Sequence, residues 1–168
     1  MGIVFMSNGV LSDFDTTSFI GQYAEKGRTI PYYSIRSATS GYYAKKDTPP
    51  KKRYNAAVYC QVETTTSNIR LIQLYNGTNV LGFLRIGVDN SYAFEVGIGS
   101  STVVGQTALK NMYGSRHIEI DFFADPVNGW FKVYVNGNLE INYIGDTGTL
   151  EIDAIGFAPF FTNMSDLP

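Results

Sequence analysis

Between Arg116 and Ile144 the chain alternates apolar and polar side chains in three runs, separated by two Asn-Gly pairs. In the first run Ile118, Ile120 and Phe122 fall on one face of an extended strand, while His117, Glu119 and Asp121 fall on the other. The second sets Phe131, Val133 and Val135 against Trp130, Lys132 and Tyr134. The third sets Leu139, Ile141 and Tyr143 against Glu140 and Asn142. Asn128-Gly129 and Asn136-Gly137 each predict a sharp reversal, because a two-residue hairpin loop needs the positive φ that Asn and Gly accept at little steric cost. Three antiparallel strands with one core face follow.

The rest of the chain extends this pattern. Tyr54–Glu63, Ile69–Tyr75, Val80–Gly87 and Tyr92–Ile98 read as four strands with turn residues between them, a spacing that fits a β-sandwich. The runs beginning at Ile69 and Val80 place apolar residues on both faces, so their outer face is expected to be covered by a loop, another subunit or the amino-terminal segment. Leu150–Phe161 closes the fold, and its alternation slips between Ile152 and Ile155, which predicts a bulge near Ala154. Gly2–Met6 reads as a terminal strand, Gly21–Lys46 as short strands and loops, and Ser100–Gly114 as strand and loop or a short helical turn.

An alternating strand, an acidic-Pro-Asn-Gly turn, an aromatic strand ending in Tyr-Val-Asn-Gly and a return strand together resemble the late strands of a laminin-G-like domain. The resemblance reaches back through Tyr54–Gly99 and forward to Ile152-Asp153-Ala154-Ile155-Gly156-Phe157, about the last two thirds of the chain. It implies an all-β, antiparallel β-sandwich of the concanavalin A-like jelly-roll kind with few or no helices. The expected organisation is one domain over 1–168, with amino-terminal strands and a basic loop in 1–53 and the laminin-G-like core in 54–161. That superfamily includes lectins, glycosidases, adhesion modules and virion proteins, so the resemblance implies an architecture before an activity.

Composition adds constraints. At 168 residues, 44% hydrophobic and 17% charged, the chain is long enough to bury a continuous core. A formal charge of −2 gives no overall pull towards nucleic acid or an anionic membrane. Lys45-Lys46-Asp47-Thr48-Pro49-Pro50-Lys51-Lys52-Arg53 carries a net +4 and leaves −6 for the remainder. Its prolines oppose regular pairing, so it reads as an exposed loop or the lead-in to a strand, suited to docking on an acidic partner surface. Tyr32 and Tyr42, each in a Tyr-Tyr pair, are further candidate contact residues. The single Cys60 excludes an internal disulfide and reads as a buried thiol. No secretion signal or membrane span is evident, which predicts synthesis in the host cytoplasm without secretion.

Tests for catalytic chemistry come out negative. Glu119-Ile120-Asp121 resembles the start of the Glu-x-Asp-x-Glu strand of laminarinase-type glycosidases, but position 123 is Phe. A retaining glycosidase needs two carboxyl groups about 5 to 5.5 Å apart, and same-face strand neighbours lie roughly 6.5 to 7 Å apart. His117, the one imidazole, has no accompanying nucleophile motif, and one Cys with one His cannot supply a usual zinc set. Gly97-Ile98-Gly99 lacks the third glycine of a dinucleotide fingerprint and reads as a loop. No cofactor is expected. Calcium stays open through Asp89, Asn90, Asp125, Asn128 and Asp146 at predicted turns, though no contiguous oxygen-ligand motif joins them.

The reading that follows is a non-enzymatic virion structural and attachment protein, a bacteriophage capsid decoration or a tail or fibre component. Its expected partners are other virion proteins, a second copy of itself and a host-surface glycan, without nucleic acid or membrane. Lys45, Lys46, Lys51, Lys52, Arg53, Tyr32 and Tyr42 are the candidate partner-binding residues. The alternative is a carbohydrate-binding, lectin-like module in which Trp130 and Tyr134 stack on sugar.

Overall fold

A computed structural model describes residues 16–18, 20–23, 34–37, 43–62, 68–88, 92–108 and 114–157, with the backbone course alone for 16–44, 59–62 and 114–115. Two antiparallel sheets form an all-β sandwich. The large, seven-stranded sheet runs in the order β1 (Thr16–Ser18), β4 (Tyr43–Lys51), β13 (Ile152–Phe157), β6 (Ile69–Asn76), β7 (Asn79–Gly87), β8 (Ala93–Ile98) and β9 (Thr102–Gln106). The small, four-stranded sheet runs β12 (Asn138–Gly145), β11 (Gly129–Val135), β10 (Gly114–Phe123) and β5 (Arg53–Val62). β2 (Ile20–Tyr23) and β3 (Ser34–Ser37) pair with each other.

The alternation read from sequence sets the core with one exception: Leu139, expected on the face of Ile141 and Tyr143, is turned outward by the ladder shift at Val133/Tyr134 and is 49% exposed. Tyr54, Phe122, Phe131 and Tyr143 stand side by side across the small sheet, and Ala56, Ile120, Val133 and Ile141 form the next row. Against these pack Ile72, Leu74, Leu84, Phe94, Val96 and Ile155 of the large sheet. Phe122 and Phe131 meet edge to face, with centroids 5.3 Å apart and ring planes at 87°. They press on Gly82 of the facing sheet, where a Cβ would lie 2.9 Å from the Phe122 ring and 3.2 Å from that of Phe131. Glycine is required there by close approach rather than by backbone conformation.

The two Asn-Gly pairs differ. Asn136 and Gly137 have φ of 51° and 83° and close a two-residue loop between Val135 and Asn138, as expected of a primed hairpin turn. Asn128-Gly129 departs from expectation. The last pair of the β10–β11 ladder is Phe123 with Trp130, so the reversal spans Ala124 to Gly129. Its corner is built by Asp125, whose Oδ1 accepts N–H bonds from Val127 at 2.9 Å and Asn128 at 2.7 Å. Gly129 begins β11 and is needed for room: a Cβ would strike the Thr147 hydroxyl and lie 2.6 Å from the Asp125 carbonyl oxygen.

The basic segment is a strand, not a loop. β4 carries Lys45 to Lys51, the chain bends at Lys52, and β5 starts at Arg53 in the other sheet. The prolines are tolerated because the β4–β13 ladder skips there, from Lys51 opposite Ile152 to Asp47 opposite Ala154. The bulge expected near Ala154 is therefore present, with its extra residues on β4. β1 pairs with β4, so an amino-terminal strand does join the large sheet.

Burial on both faces of β6 and β7 also holds. On the outer face of the large sheet Phe83 is fully buried, with the guanidinium groups of Arg70 and Arg85 at 4.7 and 5.7 Å from its ring centroid. The inward Phe131 offers the cleaner test of the core. Phe131→Ala should lower unfolding free energy by about 3 to 5 kcal/mol in a urea titration, the usual range for a buried Phe truncated to Ala.

Candidate functional site

The outward residues of the small sheet form three rows set by the same register. Arg53, Phe123, Trp130 and Ile144 make the first; Asn55, Asp121, Lys132 and Asn142 the second; Ala57, Glu119, Tyr134 and Leu139 the third. Two groups of residues singled out separately in the sequence thus share one surface: Arg53 from the basic segment, and Trp130 with Tyr134 from the sugar-stacking alternative.

Trp130 is the centre of this face. Its ring packs on Phe123 with centroids 4.6 Å apart, and the Arg53 guanidinium and Lys132 ammonium lie 5.3 and 5.2 Å from its centroid. Both distances are within cation–π range. The indole Nε1 is buried with no hydrogen-bond partner among the described residues. Arg53 is fixed by a two-pronged bond to Asp121, Nε to Oδ1 at 3.1 Å and Nη2 to Oδ2 at 3.0 Å. This pairing raises the Arg53 pKa, through the hydrogen bonds first and the charge second. Lys132 has no carboxylate partner among the described residues. Beside these groups Ile144 and Leu139 are 66% and 49% exposed, and Val127, in the turn leading into β11, is 72% exposed.

The other basic residues do not gather here. Lys45 lies on the outer face of the large sheet, where its ammonium donates to the Gly77 carbonyl at 3.2 Å, pairs with Asp47 at 3.6 Å and sits 5.2 Å from the Tyr75 ring centroid. Lys46 is half-buried opposite Ile155 and is also engaged. A strand rises about 3.3 Å per residue, so Lys45 and Lys51 stand up to about 20 Å apart. Lys51 and Lys52 are exposed at the crossing between sheets, next to Arg53. Tyr32 and Tyr42 lie outside the described residues, as does the side chain of Cys60.

The carboxylates weighed for catalysis have partners. Glu119 Oε1 lies 3.3 Å from His117 Nδ1, and Asp121 holds Arg53. Gly97-Ile98 belongs to β8, and Gly99, at φ 64°, turns the chain towards β9. Of the turn residues considered for calcium, Asp125 and Asp146 accept backbone N–H bonds, Asp146 from Gly148 at 2.8 Å, while Asp89 and Asn90 lie outside the described residues. Among the described residues no group of three or more His, Cys, Asp or Glu could hold a metal ion.

Sequence reading missed a second polar cluster, on the outer face of the large sheet. Glu95, 1% exposed, pairs with Arg85 at 2.7 Å, and Gln73 accepts a bond from Arg70 at 2.9 Å. Arg70 also donates to the Ser100 carbonyl. The available signal was the presence of Arg70, Gln73, Arg85 and Glu95 inside otherwise apolar runs. Comparison adds no relative: no protein-family model and no curated protein matches the chain.

Two predictions follow from these side chains. The N–H bonds from Asn128 and then Val127 hold the Asp125 carboxyl below the usual carboxylate range, with Lys52 adding a smaller effect. A depressed folded pKa stabilises the fold above the unfolded value, near 4, and that contribution disappears as pH falls through the folded value. Asp125→Ala should therefore lower the Tm at neutral pH, and the gap from the parent protein should close on acidification below about pH 4. Trp130, the one tryptophan, reports directly on its own surface. Lys132→Ala should shift its emission to the red and increase acrylamide quenching without loss of the β-sheet circular dichroism signal.

Proposed function

We propose that this protein is a non-enzymatic attachment protein of a virion, a bacteriophage capsid decoration or a tail or fibre component, which docks through the outer face of its small sheet. The carrying observation is the Trp130 platform: an aromatic ring with two cations in contact distance, an indole N–H without a described partner, and large aliphatic side chains exposed alongside. A polar rim around a Trp, with Arg nearby, is the usual composition of a protein-binding surface. An unsatisfied buried N–H costs about 1 to 3 kcal/mol, so a partner that brings a carbonyl oxygen to it would recover that loss. The virion assignment draws on the resemblance of the late hairpins to laminin-G-like, concanavalin A-like jelly rolls, together with the engagement of Glu119 and Asp121 by basic partners.

The carbohydrate-binding alternative is favoured by one observation, that Trp130 and Tyr134 share the outward face. Against it, Phe123 and Arg53, the latter tied to Asp121, already occupy positions against the Trp130 ring, where a sugar would stack. Attachment to a protein surface is therefore the preferred reading.

The experiment compares purified particles of the virus that encodes the chain with recombinant protein. The chain should be present in particles at a fixed stoichiometry and should rebind to particles stripped of it. Lys51→Glu with Lys52→Glu should slow rebinding and steepen its dependence on salt, because the Debye length falls from about 10 Å at 0.1 M to about 3 Å at 1 M. Arg53 is left unchanged, since a carboxylate there would face Asp121 and unsettle the sheet. Absence from particles overturns the virion reading; glycan-array binding lost in Trp130→Ala, with the fold retained, would replace it with the lectin reading.

A further inference from the structure

β12 is an edge of the small sheet: it pairs with β11 on one side, and no described strand pairs with the other. Natural edges are usually blunted by Lys, Pro or short length. β12 has eight residues, no Lys and no Pro, and Glu140 is its only charge. The ladder shift between Val133 and Tyr134 makes Glu140 an extra residue, so Leu139, Asn142 and Ile144 all stand opposite outward residues of β11. At 49% and 66% exposure, Leu139 and Ile144 place apolar surface beside a strand edge that no described strand pairs. An added extended strand pairs such a backbone edge and packs on these side chains together.

We propose that the strand which covers β12 is the β12 of a second copy, paired antiparallel about a two-fold axis. The sequence of the strand is self-complementary in this arrangement. An axis at Asn142 places Ile144 of one protomer beside Leu139 of the other, and Tyr143 beside Ile141. The two Glu140 side chains are kept apart, so no like charges oppose. Pairing of β12 with the other edge, β5, would be head-to-tail and would grow without closing, whereas the two-fold contact closes at a dimer. The product is a continuous sheet of eight strands. With strands about 4.8 Å apart and a rise of about 3.3 Å per residue, its two Trp130 rings lie about 20 Å from one another on the same face. Two adjacent platforms would bind a repetitive surface with avidity. The dimer itself does not depend on the attachment reading.

An edge contact buries less than the roughly 800 Å² per partner of a standard interface, so the dimer is expected in the micromolar range. Sedimentation velocity of the full chain from about 1 to 100 μM should show monomer converting to dimer. Hydrogen exchange at residues 138–145 should slow over the same concentrations, a reading that needs no variant. Leu139→Lys and Ile144→Lys should each shift the equilibrium at least tenfold towards monomer, while the Tm and the β-sheet circular dichroism signal at low concentration stay unchanged. A monomer at 100 μM, a dimer indifferent to both substitutions, or unlimited growth would each overturn the proposal.

Discussion

Phe122 and Phe131, edge to face beneath Gly82, fix the distance and alignment between the two sheets. A larger residue at position 82 would force the sheets apart, and a one-residue slip in β10 or β11 would exchange every inward side chain for an outward one. Trp130 would then enter the core with its N–H, and Phe131 would face solvent. The surface of the small sheet is thus determined by the core beneath it. Register places Trp130 between Phe123 and Ile144; Arg53 reaches its ring along the same row, past Phe123, and Lys132 reaches it from two residues on along β11.

The passage of the chain from β4 to β5 imposes a second constraint. A single extended segment serves both sheets, and the Lys52 carbonyl accepts the Ala124 N–H at 2.8 Å, anchoring the bend to the end of β10. Thr48, Pro49 and Pro50 occupy the part of β4 where the ladder is interrupted, so the missing proline donors cost the sheet little. This route divides the basic residues. Lys45 is committed to the Gly77 turn of the large sheet, whereas Arg53 is committed to Asp121 in the small one.

Local periodicity made the late strands and the Asn136-Gly137 turn legible, because each is decided mainly by residues adjacent in sequence; it showed the bulge near Ala154 only as a slip in β13, and neither the extra residues on β4 nor the outward turn of Leu139. Asn128-Gly129 was legible as a reversal but not in its length. The corner at Asp125 is local, whereas the room at Gly129 is set by Thr147, whose hydroxyl donates to the Phe123 carbonyl at 2.6 Å from the neighbouring loop. The basic segment misled because charge and proline content describe solubility and donor loss, not which strand edge is available. Trp130 and Tyr134 could be placed on a shared face from alternation alone. Their cation neighbour Arg53 could not, since its ion pair with Asp121 spans 68 residues.

Both outer faces carry arginine near an aromatic ring, yet their electrostatics differ in a way that bears on binding. On the large sheet Arg85 is bound to a carboxylate that is almost fully buried, and Gly87 leaves room for that carboxylate against the backbone. Removing either partner would strand a charge, so this cluster resists rearrangement. On the small sheet Lys132 is held to the Trp130 ring without a carboxylate partner among the described residues, and the indole N–H of that ring has no described partner. A side chain held by a cation–π contact alone can move aside for about 0.5 to 1 kcal/mol at an exposed site. The large-sheet cluster is therefore complete in the isolated protein, whereas the Trp130 face has both a movable cover and an unsatisfied donor, the physical conditions for receiving a partner.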